Sequence, residues 1–156
     1  MIDNNIVMIR NSLGSTTTPT YISFMKRNEV NVGELAKLLL SIEKNIIFNT
    51  KRLLGKTLED KDIKEIMKKL PFRLKKDENF NLLLIELNFD DTSKNVISLN
   101  IEEYFYPEQM NAFILKKIVQ DSEFYLSNKI GRDIKINRAV ITVLAYFNQK
   151  QRENLH

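Results

Sequence analysis

Ala139-Val-Ile-Thr-Val-Leu144 is a six-residue run with no charge and no alternation of polar and apolar residues. A strand with one wet face alternates, whereas a continuous apolar run of this length is the pattern of a strand buried on both faces in a parallel or mixed sheet. The run therefore predicts an α/β chain, mixed α+β in detail. Just downstream, Asn148 with Gln151 three residues on is a capping-box pattern that opens a helix. That helix reaches only to His156, too short to stand alone in water. The expectation is a chain that ends inside an element whose packing partner is missing, which reads as truncation.

Working back from the run, Lys129 to Asn137 is a polar connection containing Gly131. Pro107 suits the first turn of a helix and Glu108 its positive end. Met110, Phe113, Ile114, Ile118 and Tyr125 then give one apolar face to about Leu126. Phe80–Phe89 and Val96–Phe105 read as strands joined by the polar loop Asp90–Asn95, a long hairpin over 80–105. Leu58–Leu70 reads as an amphipathic helix, with Ile63, Ile66, Met67 and Leu70 at i, i+3, i+4 and i+7, ended by Pro71. A helix from Val32-Gly33-Glu34 to about Lys44 precedes a short apolar segment, Ile46–Phe48. At the start, Ile6–Ile9 suits a strand and Asn11–Ser15 a turn. Thr16–Phe24 suits a second strand, which Pro19 confines to an edge or a bend. The two strands together predict an antiparallel hairpin. No internal repeat or low-complexity segment is present.

Composition narrows the chemistry. The 156 residues are one domain's length, and 43% apolar with 28% charged residues is ordinary globular usage. The absence of cysteine excludes a disulfide scaffold and a thiolate metal site. The only histidine is His156, so histidine catalysis and histidine metal ligation are not expected. No apolar run reaches the roughly 18 residues of a membrane span. Residues 1–15 carry Asp3, Arg10 and several Asn and Ser, which is not a secretory signal. The expected address is a reducing intracellular compartment, the cytoplasm by default.

The net charge of +4 is local. Lys51 to Lys76 holds ten Lys or Arg against four Asp or Glu, a surplus of six. Such a block attracts phosphate or acidic partners, or is simply the wet face of a helix. Phe72 is its only aromatic residue, so the interleaving that marks specific nucleic-acid binding is missing. Within the block, Thr50 to Thr57 ends in Gly55-Lys56-Thr57 like a phosphate-binding P-loop. Its first glycine is replaced by Thr50, and Leu53 and Leu54 crowd the loop where backbone N–H groups would approach phosphate. The carboxylate pairs Glu59-Asp60, Asp90-Asp91 and Glu102-Glu103 have no evident acid/base geometry and read as solvated surface.

Six blocks in order resemble the seventy-kilodalton heat-shock chaperone family. Ala139 to Asn148 with Gln151-Arg152 resembles that family's A-V-I-T-V-P-A-Y-F-N-D-x-Q-R. Thr18–Phe24 resembles T-P-S-x-V-x-F, Val32–Lys37 V-G-x-x-A-K, and Lys51–Gly55 K-R-L-I-G. Lys69–Phe72 resembles the segment around W-P-F, and Phe105–Glu108 matches F-Y-P-E. The blocks cover about residues 6–156. The resemblance implies a partial actin-like, ribonuclease-H-like ATPase lobe I, with residues 1–24 and 107–156 as its core and 25–106 as an inserted subdomain.

It also implies an inherited role in ATP-dependent protein folding, with ATP and Mg²⁺ as cofactors. Lys51 matches the lysine that reaches the transferred phosphate, where a positioned ammonium stabilises charge in the transition state. Arg152 matches an arginine of the interdomain relay, and Leu144 stands where the relay has proline. The family's first phosphate loop, D-L-G-T-T, has no counterpart before Ile6, so the chain alone is expected not to hydrolyse ATP or to bind it tightly. The hairpin 80–105 and the connection 127–138 are longer than in the family. The resemblance further implies that the strand at 139–144 exposes an apolar, unpaired edge. The alternative reading is a non-catalytic interaction module for co-chaperones or a complementary chaperone chain.

Overall fold

The computed structural model describes residues 6–26, 29–89, 104–143, 147, 149 and 152. Its mixed α+β architecture comprises two small antiparallel sheets, two short helices and one long one. In the first sheet β1 (Tyr21–Lys26) lies between β2 (Glu29–Val32) and β3 (Ile46–Phe48), with Ile22 opposite both Val32 and Ile47. Between β2 and β3 run α1 (Glu34–Leu38) and a 3₁₀ turn, Leu39–Ser41. A second 3₁₀ turn, Thr50–Arg52, follows β3, and α2 (Ile63–Met67) comes next. The second sheet has β5 (Leu83–Glu86) between β4 (Arg73–Lys76) and β6 (Tyr104–Phe105). The long helix α3 spans Pro107–Ile130.

One apolar cluster joins these parts. Ile22 and Phe24 of β1, Ile47 of β3, Ile63 of α2, Leu83 and Ile85 of β5, Phe105 of β6, and Met110 and Ile114 of α3 all belong to it. Phe24, Phe105 and Phe113 pack ring to ring at 5.4–6.1 Å, in the tilted and edge-on geometries aromatic quadrupoles favour. A polar clamp ties the sheets as well. Buried Asn45 donates from Nδ2 to Asn88 O at 2.9 Å and accepts the Asn88 N–H at 2.8 Å. The Asn45 main-chain carbonyl takes the Phe24 N–H at 3.0 Å.

Several expectations hold. Asn11–Ser15 forms a turn, with the Asn11 side chain accepting the Leu13 and Ser15 N–H groups. Ile46–Phe48 is a strand. The base of the 80–105 hairpin is in place, Ile85 facing Phe105 and Glu86 facing Tyr104. The hairpin's tip lies outside the described residues. Pro107 opens α3, Gln109 Oε1 accepts the Tyr106 N–H at 2.8 Å, and Gly131 closes the helix at φ 77.

Others are corrected. Ile6–Ile9 is not a strand and does not form a hairpin with β1, whose neighbours are β2 and β3. Ile6 is 93% exposed. Residues 139–143 are not a buried strand either, and Val140 is 96% exposed. The cause is common to both: a strand persists only when a neighbour satisfies its backbone groups. No backbone–backbone hydrogen bond reaches either segment among the described residues. The approach to 139 is instead tied to α3 through side chains, with the Ile134 N–H donating to Ser127 Oγ and the Ile136 N–H to Glu123 Oε1, both at 2.9 Å.

The expected helix 58–70 shrinks to α2. Residues 57–62 close as turns with i+3 backbone bonds, the Asp60 N–H to Thr57 O at 3.3 Å and the Ile63 N–H to Asp60 O at 3.1 Å, in place of the first helical turns. The expected helix to Lys44 ends at Leu38 and passes into the 3₁₀ turn. The strand expected from Phe80 begins at Leu83, after Asn81 takes φ 54. Most of the expected 148–156 helix lies outside the described residues; Gln149 and Arg152 are helical.

Candidate functional site

Asn49 leaves β3 with φ 59, a left-handed conformation that asparagine tolerates better than most residues. This bends the chain into the turn Thr50–Arg52, closed by the Arg52 N–H to Asn49 O at 3.0 Å and the Leu53 N–H to Thr50 O at 2.9 Å. Leu53 and Leu54 are fully buried and anchor the turn from behind. The Gly55 N–H donates to Glu108 Oε1 at 3.3 Å, which docks the turn on the first turn of α3.

Lys51 is thereby held half-buried between β3 and α3. Its Nζ lies 5.8 Å from the ring centroid of Phe147, within reach of the negative face of an aromatic ring. Phe147 is buried, and its carbonyl accepts a hydrogen bond from Arg152 Nε at 3.2 Å. Lys51 and Arg152, singled out separately in the sequence, therefore meet on one residue. Sequence reasoning did not single out Phe147, although it stands in the same block as Arg152. Leu144 lies outside the described residues.

The P-loop-like ending does not form a phosphate cradle. Leu53 and Leu54 point into the core, and Lys56 Nζ pairs with Asp62 at 2.7 Å. The Lys56 ammonium holds the Asp62 carboxyl below its ordinary value. The backbone N–H groups of Gly55 and Thr57 are already given to Glu108 and Asp60. Carboxylates thus occupy the donors an anion would need.

The paired carboxylate Glu59-Asp60 is structural. Glu59 pairs with Lys76 at 3.1 Å, which lowers its pKa, and Asp60 closes the turn at Thr57. Asp90-Asp91 and Glu102-Glu103 lie outside the described residues. Among the described residues no group of three or more His, Cys, Asp or Glu is placed to hold a metal ion. No helix among them is long and apolar enough to cross a membrane. Beside the Lys51 turn, Arg52, Lys69, Asp62 and Glu65, with Ile66 and Leu70, contribute to the wall of a cavity of about 140 Å³.

Residues 1–156 match the protein-family profile described as Hsp70 protein. The chain is 37% identical over 147 residues to a chaperone protein dnaK of Trieres chinensis, covering 94% of this chain and 21% of that protein. It is 31% identical over 153 residues to heat shock cognate 70 kDa protein 3 of Dictyostelium discoideum, covering 97% and 22%. It is 31% identical over 155 residues to heat shock 70 kDa protein 2 of Paracoccidioides lutzii, covering 97% and 20%. The chain thus spans about a fifth of the length of these curated relatives.

Proposed function

The chain belongs to the Hsp70 family, and on that premise we propose that it is part of a chaperone nucleotide-binding domain in which Lys51 faces the phosphates of ATP. The observation that carries this is the convergence of the Lys51 turn and Arg152 on Phe147. Two blocks far apart in sequence meet there and leave one half-buried ammonium at their junction. Its chemistry fits a phosphate oxygen: a positioned cation, partly shielded from water, stabilises negative charge more than a free surface lysine does. ATP would supply the phosphoryl group, and Lys51 would hold charge on it. The described residues do not offer the carboxylate set that would position Mg²⁺, so no step is assigned through the metal.

Arg152 acts as a relay residue through the Phe147 backbone, and Leu144 occupies the position of the relay proline. The core of the lobe is 1–24 with 107–156, and 25–106 is its insertion. The protein works inside the cell, in the cytoplasm, within ATP-dependent protein folding. Residues 1–156 by themselves are not expected to turn over ATP, because among the described residues Lys51 has no carboxylate set beside it, and one cation is not a catalytic constellation.

Nuclear magnetic resonance with added ATP tests the reading. Amide signals of residues 50–55 should shift, and Lys51→Ala should weaken the apparent affinity about tenfold, the worth of one charge-assisted hydrogen bond. Unshifted signals would refute the phosphate-facing role. Lys51-dependent ATP turnover by this chain alone would refute its inactivity. A second reading, an interaction module for co-chaperones or another chaperone chain, is favoured by the unpaired lysines around α2.

A further inference from the structure

Between Lys51 and Lys76 the acids are largely used within the fold. Glu59 pairs with Lys76, Asp62 with Lys56, and Asp60 closes the turn at Thr57. Glu65 remains. The bases are not used in the same way. Lys61, Lys64, Lys68 and Lys69 are exposed, and none makes a side-chain hydrogen bond or ion pair among the described residues. Lys64 and Lys68 lie one helical turn apart at α2. Ile63 is buried, and Ile66, Met67 and Leu70 pack on the core, so the lysines project away from it. At one end of this face is the cavity of about 140 Å³, bordered by Arg52 and Lys69 but also by the carboxylates Asp62 and Glu65, with Ile66 and Leu70 as apolar wall; the positive charge is therefore that of the lysine face, not of the cavity. The cavity's volume is close to the roughly 150 Å³ that accepts one benzene-sized apolar group.

We propose that the lysine face of α2 and the cavity beside it dock an acidic polypeptide segment carrying one aliphatic anchor residue. Charge complementarity selects an acidic partner, and the cavity selects a single apolar side chain among its carboxylates. Nucleic acid fits less well. Phe72, the one aromatic residue of this stretch, is buried and offers no stacking face. A lipid surface fits less well too, because no large apolar side chain between Lys51 and Lys76 is among the strongly exposed ones. The inference deepens the interaction-module reading and does not rest on the phosphate reading, since it leaves Lys51 out.

Fluorescence anisotropy on the full chain tests it, using a short labelled peptide with one leucine between glutamates. Binding should weaken as salt rises. The double reversal Lys64→Glu with Lys68→Glu should weaken it about tenfold, and replacing the leucine by serine should weaken it several-fold. Both substituted sites are exposed and unpaired, so the urea midpoint should not move. Lys129→Glu, an exposed reversal on α3, and Lys51→Ala should leave peptide binding unchanged. Loss of ATP-induced shifts in Lys51→Ala with peptide binding intact separates the two readings. No peptide binding, no response to the double reversal, or equal affinity for oligothymidylate or anionic lipid vesicles would overturn the proposal.

Discussion

Replacing Asn45 by alanine should loosen the joint between the two sheets. The side chain is buried and makes two hydrogen bonds to the backbone of Asn88, at 2.9 and 2.8 Å. Each is worth about 1 kcal/mol net. Asn88 is exposed, so water can serve its freed N–H and C=O, and no further burial penalty arises on that side. The expected loss is therefore about 1–2 kcal/mol, or about 2–8 °C in Tm for a domain of this size. The assay is urea unfolding followed by far-ultraviolet circular dichroism, since the chain has no tryptophan. The midpoint should fall with the slope unchanged. Asn45→Asp sharpens the test: it keeps an acceptor for the Asn88 N–H but sets a carboxylate against the Asn88 carbonyl. It should cost at least as much as alanine at neutral pH, and its deficit relative to the parent should shrink as the new carboxylate protonates. Parental midpoints in both variants would refute the clamp.

Gly33→Ala should cost about 1–2 kcal/mol in the same assay, because φ is +83° there and the new methyl would lie 3.0 Å from Thr18 Cγ2. Acid should destabilise the protein through four carboxyls whose pKa values are lowered: Asp77 by the Tyr106 hydroxyl, Asp62 by Lys56, Glu59 by Lys76, and Glu123 by the Ile136 N–H. Their stabilisation is full above the ordinary values of 3.8 for aspartate and 4.5 for glutamate, and is lost as pH falls through the lower folded values. Tyr106→Phe should flatten that acid slope in urea midpoints measured against pH, and an unchanged slope would count against the Asp77 contact.

The parts of the fold visible in the sequence are those whose cause is local. Pro107 and Gly131 mark the two ends of α3 by backbone restriction and backbone freedom respectively. Asn11 closes its turn with its own side chain. β4 was missed because Arg73-Leu-Lys-Lys76 has a single apolar residue, Leu74, and is a strand only because β5 lies beside it. α2 was overextended because the periodicity counts apolar residues and does not register the i+3 turn bonds of Thr57–Ile63 that precede it. Lys51 and Arg152 were identified through family blocks. Their meeting on Phe147 was not visible, because nothing in either block encodes the other's position.

Order and kind of residue alone settled the family, the mixed α+β class, the absence of any cysteine, and the location of the positive charge. Tertiary structure decided which of those charges are spent on internal partners and which face solvent. It also decided that Ile6–Ile9 and residues 139–143, both apolar and strand-like, are not strands. The physical reason is the same in each case: an ion pair and a strand each need a second group brought alongside, and only the folded chain determines which group that is.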